Sequence, residues 1–596
     1  MATFKPARSL EECQKILSAP GSLLELDTAI IDGRKTTVWK NLWPNLRAYW
    51  MLYGKTWSQR EYVVFENERY TYGQMFEKSS KLASMLREVY GVKKGDRVAI
   101  MMRNFPEYML CFWAACLLGA VPTLLNSLLP VKPTKYCIRL TDPKILILDP
   151  ERAETLASHI PSLSARLTTF VVRDHELHPP NKSIRGIVSL QKALDKYNGP
   201  LDAWKLEPEC SPEDDAALYF TSGTTGLPKG VLESQRGVLS NTFDSIYHTF
   251  RAFLRRGEAI PVPSPTDEQK VHLLGVPLFH VTGLTSLAVG ITFQGTKLVL
   301  WDPEQVGRLI VEEGIHAATG VPSTLLDVLD SAPIKSGKKT KLEYLGGGGA
   351  AFPSMLAPEA VRRLPGSTVT QGYGLTETNA IAVSFSGEDF VARPSSTGLP
   401  PPVTEIKIVN TETGKELPAG EIGEILIRGA KLMKGYWNDP DATRKAITKD
   451  GWFKSGDLGY VDHEGFLYIK DRAKDIIIRG GENIHSVTVE NALYLDPRIM
   501  EAATVSVPDK RLGELVGAAV LLKHESRGKT TEADIIQEAR KHLPPHAVPV
   551  IVYISDEPLP RNAARKFLKS DIRKIVRKAW SQRQKGGKNA GTRAKL

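Results

Sequence analysis

The sequence predicts an α/β protein with parallel strands, divided into at least two domains. Two observations carry this. Up to residue 150, segments with helical apolar spacing alternate with short apolar runs bounded by turn residues, the pattern of strands joined by crossover helices. In addition, 596 residues are more than one hydrophobic core organises.

The elements follow in order. Residues 1–60 hold Trp39, Trp43, Trp50 and Trp57, which are expected to pack onto the main body. Over 71–90, Phe76, Leu82, Met85 and Leu86 fall on one helix face. The turn at 91–96 feeds a strand over 97–102, and Asn104-Phe105-Pro106-Glu107 opens the next helix. Residues 108–125 are uncharged and long enough to cross a bilayer. Gly119 and Pro122 interrupt them, so the stretch is read as a buried helix running into a core strand. A short strand is expected over 144–148, and the polar, proline-punctuated residues 150–215 are read as a connection. A buried strand follows over 216–220, a helix over 235–253, a surface loop over 255–269 and a strand over 271–276.

Composition narrows the class. Five scattered cysteines without CxxC spacing argue for a reducing compartment, against a disulfide framework and against a zinc site. The formal charge of +11 is local. From Arg561 onward there are 13 Lys and Arg against one acidic residue. Of 78 basic and 67 acidic residues in all, the preceding chain therefore holds 65 and 66. The excess is a solvated tail, and a nucleic-acid partner is not expected. Residues 1–18 show no apolar secretory segment.

The sharpest stretch is Tyr219-Phe220-Thr221-Ser222-Gly223-Thr224-Thr225-Gly226-Leu227-Pro228-Lys229-Gly230. Hydroxyls and free backbone N–H groups can donate to a polyphosphate, glycines let the backbone approach it, and Lys229 adds a compact positive charge. Lys229 is followed by Gly230 rather than Ser or Thr, so this is not a Walker A loop. The plainer reading is a polar turn between a strand and a helix.

Three further stretches fit a nucleotide. Gly346-Gly347-Gly348-Gly349-Ala350 ends an apolar pair, where a flat ring can lie on backbone. Gln371-Gly372-Tyr373-Gly374-Leu375-Thr376-Glu377 offers a ring to stack, a hydroxyl donor and an oxygen ligand suited to magnesium. Asp457 follows Gly456, where a turn aspartate ordinarily caps its own backbone.

Together these stretches resemble the signatures of the adenylate-forming, acyl-activating superfamily of acyl-CoA synthetases, luciferases and peptide-synthetase adenylation domains. The resemblance implies a large N-terminal domain of stacked α/β sheets plus a distorted barrel (1–473), a small mobile C-terminal α+β domain (474–580) and a basic tail (581–596). It implies that Gly348, Gly349 and Ala350 wall the adenine with Gln371, Gly372 and Tyr373, that Thr376 meets the α-phosphate and that Glu377 holds Mg²⁺. It puts Asp457 and Arg472 on the ribose, the hinge at Lys474 and the pantetheine arm of coenzyme A at Gly480, Gly481 and Glu482. Phe279, His280, Gly346 and Gly347 would flank the acyl pocket, although His280 alone reads as a core histidine. Lys566 matches the catalytic lysine. Its neighbours Ala564 and Arg565 depart from the family's Ser-Gly, and Gln235 stands where many members carry His.

The function so implied is an ATP-dependent carboxylic acid–CoA ligase. It would form an acyl-adenylate with release of pyrophosphate and then an acyl-CoA with release of AMP, on a fatty or other extended acid. A ligase loading a carrier protein, a luciferase-like oxygenase and a degenerate scaffold are the alternatives. The ending Ala594-Lys595-Leu596 is close to the Ser-Lys-Leu address, which points to the peroxisome and its import receptor, with the cytoplasm as the fallback.

Overall fold

The computed structural model describes residues 4–593, apart from 164–165, 222–226, 262–263, 301–304, 351, 354, 473–474 and 563–564; of 585–593 it describes only the backbone. Two eight-stranded sheets dominate the large domain. One runs Gly435–Tyr436, Lys229–Ser234, Asp215–Thr221, Val121–Leu124, Arg97–Met101, Ile145–Leu148, Thr168–Val171 and Ile187–Ser189. The other runs Val383–Ser386, Thr368–Tyr373, Tyr344–Gly348, Ala317–Gly320, Val271–Leu274, Lys297–Leu300, Glu61–Phe65 and Glu68–Thr71.

The helix Pro106–Leu118 is buried all round. A helix apolar on every face belongs in a core, and Trp113 stacks on Trp50 at 4.5 Å between ring centroids. Gly119 ends it at φ 65°, a conformation that costs glycine little. No described helix is long and apolar enough to cross a membrane. The aromatic N-terminal segment packs inward as expected: Trp39, Trp50 and Trp57 are buried, and the Trp39 indole donates to Asp244 at 3.0 Å. Asp244 also pairs with Lys431, so the helix Gln235–Arg256 is pinned to the 430s by a fully buried ion pair.

Two parts of the sequence reading change. Residues 150–215 are more than a connection, since Thr168–Val171 and Ile187–Ser189 extend the first sheet. Their few apolar residues are too short a run to announce strands on a polar background. The hydroxyl-rich loop does not lead from a strand into a helix. It joins two antiparallel strands, with Thr221 paired to Lys229.

The last part of the large domain is a four-stranded antiparallel sheet, ordered Thr404–Val409, Gly423–Gly429, Phe453–Val461 and Leu467–Arg472. After Arg472 the chain enters a second unit. Its five-stranded sheet, Ile477–Arg479, Glu482–Ile484, Ile499–Asp509, Gly513–Leu522 and Ile551–Ser555, packs helices Ser486–Tyr494 and Glu532–Arg540 over one core and helix Lys569–Arg593 over another. The boundary drawn between 580 and 581 falls inside that last helix. The expected hinge residue, Lys474, lies outside the described residues, as do Ser222, Gly223, Thr224, Thr225, Gly226 and Ala594-Lys595-Leu596.

Candidate active site

A continuous cavity of about 2620 Å³ opens between the two large sheets and the small domain. Thr221 and Lys229, the described ends of the hydroxyl-rich loop, line it. The Lys229 ammonium lies 4.6 Å over the ring of Tyr436. Tyr436 belongs to the short strand paired with Lys229–Ser234, and its hydroxyl donates to Glu377 Oε1 at 2.9 Å. Burial pushes the Glu377 carboxyl up, and the Tyr436 bond works against that. Thr376 and Glu377 open a one-turn 3₁₀ helix at the cavity wall.

The glycines of Tyr344–Gly348 make room for this wall. A Cβ on Gly348 would meet the Gly372 carbonyl oxygen at 2.7 Å, and one on Gly347 the Phe352 ring at 2.1 Å. Gly349 and Ala350 continue the wall beyond the strand, with Gln371, Gly372 and Tyr373 beside them.

Tyr373, Asp457 and Arg472 form one cluster. The Tyr373 hydroxyl donates to Asp457 Oδ2 at 2.7 Å, and Arg472 Nε lies 3.1 Å from Asp457 Oδ1. Asp457 and Arg472 face each other across adjacent antiparallel strands. The turn expected around Asp457 is instead a bulge within a strand: Glu424 pairs with Leu458 and Leu426 with Lys454, so the intervening residues loop out, and Gly456 takes φ 70°.

Lys566 reaches this cluster from the small domain. Its Cε lies 3.2 Å from the point where a Cβ on Gly349 would stand. Burial, together with the Arg472 charge, lowers its amine to about 8, against the pull of Asp457 and Glu377. The loop that carries it is tightly tied. Asn562 N donates to the Lys566 carbonyl at 2.8 Å, and Lys566 N to Asn562 Oδ1 at 3.0 Å. Arg565, the departure from the family's glycine, takes φ 60° and pairs with Asp327 of helix Pro322–Leu329 at 3.0 Å. Arg561 donates to Ser323 of the same helix at 2.8 Å.

Phe279 and His280 line the cavity beside this lysine. Burial, then the Lys566 charge, holds the His280 imidazole down at about 3, so it is neutral. Gly346 and Gly347 lie on the same wall. Gly480, Gly481 and Glu482 are not brought to the cavity. They form an exposed hairpin turn, with both glycines at positive φ. Gln235 is not a site residue either. It is buried, accepting from Leu46 N at 2.9 Å and donating to the Asp215 carbonyl at 3.0 Å.

Sequence reasoning missed Tyr436 and the Pro322–Leu329 helix. Tyr436 had a signal in its Gly-Tyr-Trp context, whereas the helix contacts depend on the docking of two domains.

The fold and this cleft define an adenylate-forming enzyme. Residues 53–437 match the AMP-binding enzyme family and residues 488–566 the AMP-binding enzyme C-terminal domain, and the chain belongs to that family. It is 32% identical over 558 residues to a long-chain-fatty-acid–CoA ligase of Thermus thermophilus, covering 89% of this chain and 95% of that one. It is 31% identical over 511 residues to a feruloyl-CoA synthase of Amycolatopsis, covering 85% and 93%. Among solved structures, ATP-bound MatB of Rhodopseudomonas palustris superposes with a TM-score of 0.74 at 25% identity, covering 89% of this chain and 99% of that one. A fatty acyl CoA synthetase of Mycobacterium tuberculosis gives 0.62 at 28%, covering 90% and 99%.

Proposed function

We propose that this AMP-forming acid–CoA ligase takes acids with an extended acyl chain. The observation that carries the proposal is the shape of the cavity beyond Phe279 and His280. The helix Gln235–Arg256 lines it with Thr242, Ile246, Thr249, Phe250 and Phe253, positions that recur on one helix face. From Thr242 to Phe253 that face runs roughly 16 Å at the helical rise per residue, room for a chain rather than a single small ring. Relatives named for long-chain fatty acids and for feruloyl-CoA agree with an elongated substrate.

ATP and coenzyme A are the co-substrates of the family. In the first half-reaction a carboxylate oxygen of the acid bonds to the α-phosphorus of ATP, the bond to the bridging oxygen breaks, and pyrophosphate leaves. Lys566 neutralises the carboxylate and α-phosphate oxygens as negative charge shifts between them. Asp457 and Arg472 take the ribose, Tyr373 and the Gly348-Gly349-Ala350 wall take the adenine, and Thr376 donates to the α-phosphate. Lys229 and the preceding hydroxyls meet the outer phosphates. Glu377 would hold Mg²⁺. Its single carboxylate beside a phosphate site is the donor set this ion uses, and the described residues contain no cluster of three or more acidic, His or Cys side chains that would suggest another metal. When bound, the ion supplies countercharge to the polyphosphate.

In the second half-reaction the thiol sulfur of coenzyme A bonds to the acyl carbon, the bond from that carbon to the phosphate oxygen breaks, AMP leaves, and the thiol proton passes to water. The exposed Gly480-Gly481 hairpin meets the pantetheine arm only after the small domain turns about Lys474. Ala594-Lys595-Leu596 remains a sequence-based reading for peroxisomal import. Imaging of a fluorescent N-terminal fusion with and without those three residues tests it, and unchanged distribution on deletion would reject it.

The test of the ligase reading is a carboxylic-acid panel scored by AMP release with and without coenzyme A. AMP release that depends on both an extended acid and coenzyme A is expected. Turnover confined to short or single-ring acids would overturn the substrate reading.

A further inference from the structure

The floor of the acyl channel is polar, and we propose that the extended acid carries oxygen substituents, hydroxyl or oxo, along its chain. This rests on the ligase reading above. The floor is one face of the second sheet. In its parallel pairing Thr319, Gly346 and Thr370 stand side by side, and one step of the pleat further along stand His272, Ala317 and Tyr344. Directly paired residues point to the same side, so these two rows share a face.

The alternate residues Leu273, Ala318, Leu345 and Val369 turn the other way into an apolar core. Thr319, Thr370, His272 and Tyr344 all line the cavity. The first row lies roughly 7 Å along the strand from Gly348, and the second roughly 13 Å, at the strand rise per residue. Lys566 stands next to Gly349. Both rows therefore lie along the path of a chain whose carboxylate is at the lysine.

These side chains are arranged rather than merely present. His272 Nε2 lies 2.9 Å from Thr319 Oγ1, and Thr370 Oγ1 donates to Ser386 Oγ at 2.8 Å, with the Tyr344 hydroxyl beside Thr370. Thr319 Oγ1 lies 2.8 Å from the place a Cβ on Gly346 would take, so the glycine leaves this hydroxyl uncovered. Burial lowers the His272 imidazole to about 4. A neutral ring has one donor and one acceptor nitrogen, and among the described residues Nδ1 has no hydrogen-bond partner.

A plain hydrocarbon lying on this floor would strip water from that nitrogen and return no hydrogen bond. A site with buried polar groups rejects a ligand that leaves them unpaired. An oxygen on the chain at either row satisfies them.

The experiment compares dodecanoic acid with hydroxy- and oxo-dodecanoic acids substituted between the fifth and tenth carbons, each scored by AMP release with coenzyme A. The wild-type enzyme is expected to favour at least one oxygenated acid by about tenfold in kcat/KM. His272→Leu and Thr319→Val are expected to lower kcat/KM for that acid, through KM, and to raise it for dodecanoic acid, an inversion that misfolding does not produce. Thr319→Ser, which keeps the hydroxyl, is expected to restore the preference. Wild-type preference for dodecanoic acid, or variants that leave the ratio unmoved, would overturn the inference while leaving the ligase reading intact. Turnover of no twelve-carbon acid at all would instead defeat the extended-chain reading, and this inference with it.

Discussion

Lys566 shows what a site does to one residue. Its amine is lowered from 10.5 to about 8, chiefly by burial. The direction fixes the sign of a pH effect: the ammonium is present below about 8 and is lost as pH rises through that value. A half-reaction that uses the charge should decline across that window. Pyrophosphate exchange is expected to fall above it in wild type, while transfer of a supplied acyl-adenylate to coenzyme A does not fall on account of this lysine; identical alkaline limbs for the two would count against the assignment. Lys566→Ala is expected to abolish exchange and spare transfer. Tyr373→Phe removes one hydrogen bond to Asp457. Loss of about 1–3 kcal/mol is expected, since Asp457 is buried and a charged acceptor loses a donor. It should appear as a raised KM for ATP, measured at saturating acid.

At the scale of elements, the loop 561–567 deserves comparison with its family form. Arg565 replaces a glycine yet keeps the left-handed backbone, φ 60°, at a cost of roughly 1–2 kcal/mol for a residue with a Cβ. Its ion pair with Asp327 is half-exposed and so worth roughly 0–1 kcal/mol alone. Together with the Arg561–Ser323 bond, it ties the lysine loop to a helix of the large domain. Arg565→Gly relieves the backbone and loosens the tie. Pyrophosphate exchange is expected to slow by about fivefold, the equivalent of roughly 1 kcal/mol, with no slowing of acyl transfer. Asp327→Asn should do the same, and the double variant should be no worse than either. Equal slowing of both half-reactions would show that the contact does not favour one domain pose.

At the scale of the whole molecule, the large domain is locked by contacts between distant segments. Lys431 and Asp244 are both fully buried and pair with each other; Lys431 also donates to the Ile381 carbonyl, and Asp244 also accepts from the Trp39 indole. Lys431→Ala leaves an aspartate uncompensated in the core, and a loss of about 3–5 kcal/mol is expected, read as a lowered denaturant midpoint. A purely catalytic defect at unchanged stability would contradict this account.

Much of the site was legible because its chemistry is local in sequence. A run of hydroxyls and glycines, a Tyr-Gly-Leu-Thr-Glu stretch and a lysine after Leu-Pro-Arg each carry their meaning within a few residues, and the strands and helices around them follow from apolar period. The residue types of the candidate cleft were therefore set by sequence alone. Only tertiary structure brought Tyr436 onto Glu377, put Asp457 in a bulge facing Arg472, made strands of polar segments and turned Thr319, His272 and Thr370 onto one channel face. Those are facts of register and docking. They depend on which strands pair and how two domains meet, energies summed over hundreds of distant contacts that no short stretch of sequence contains.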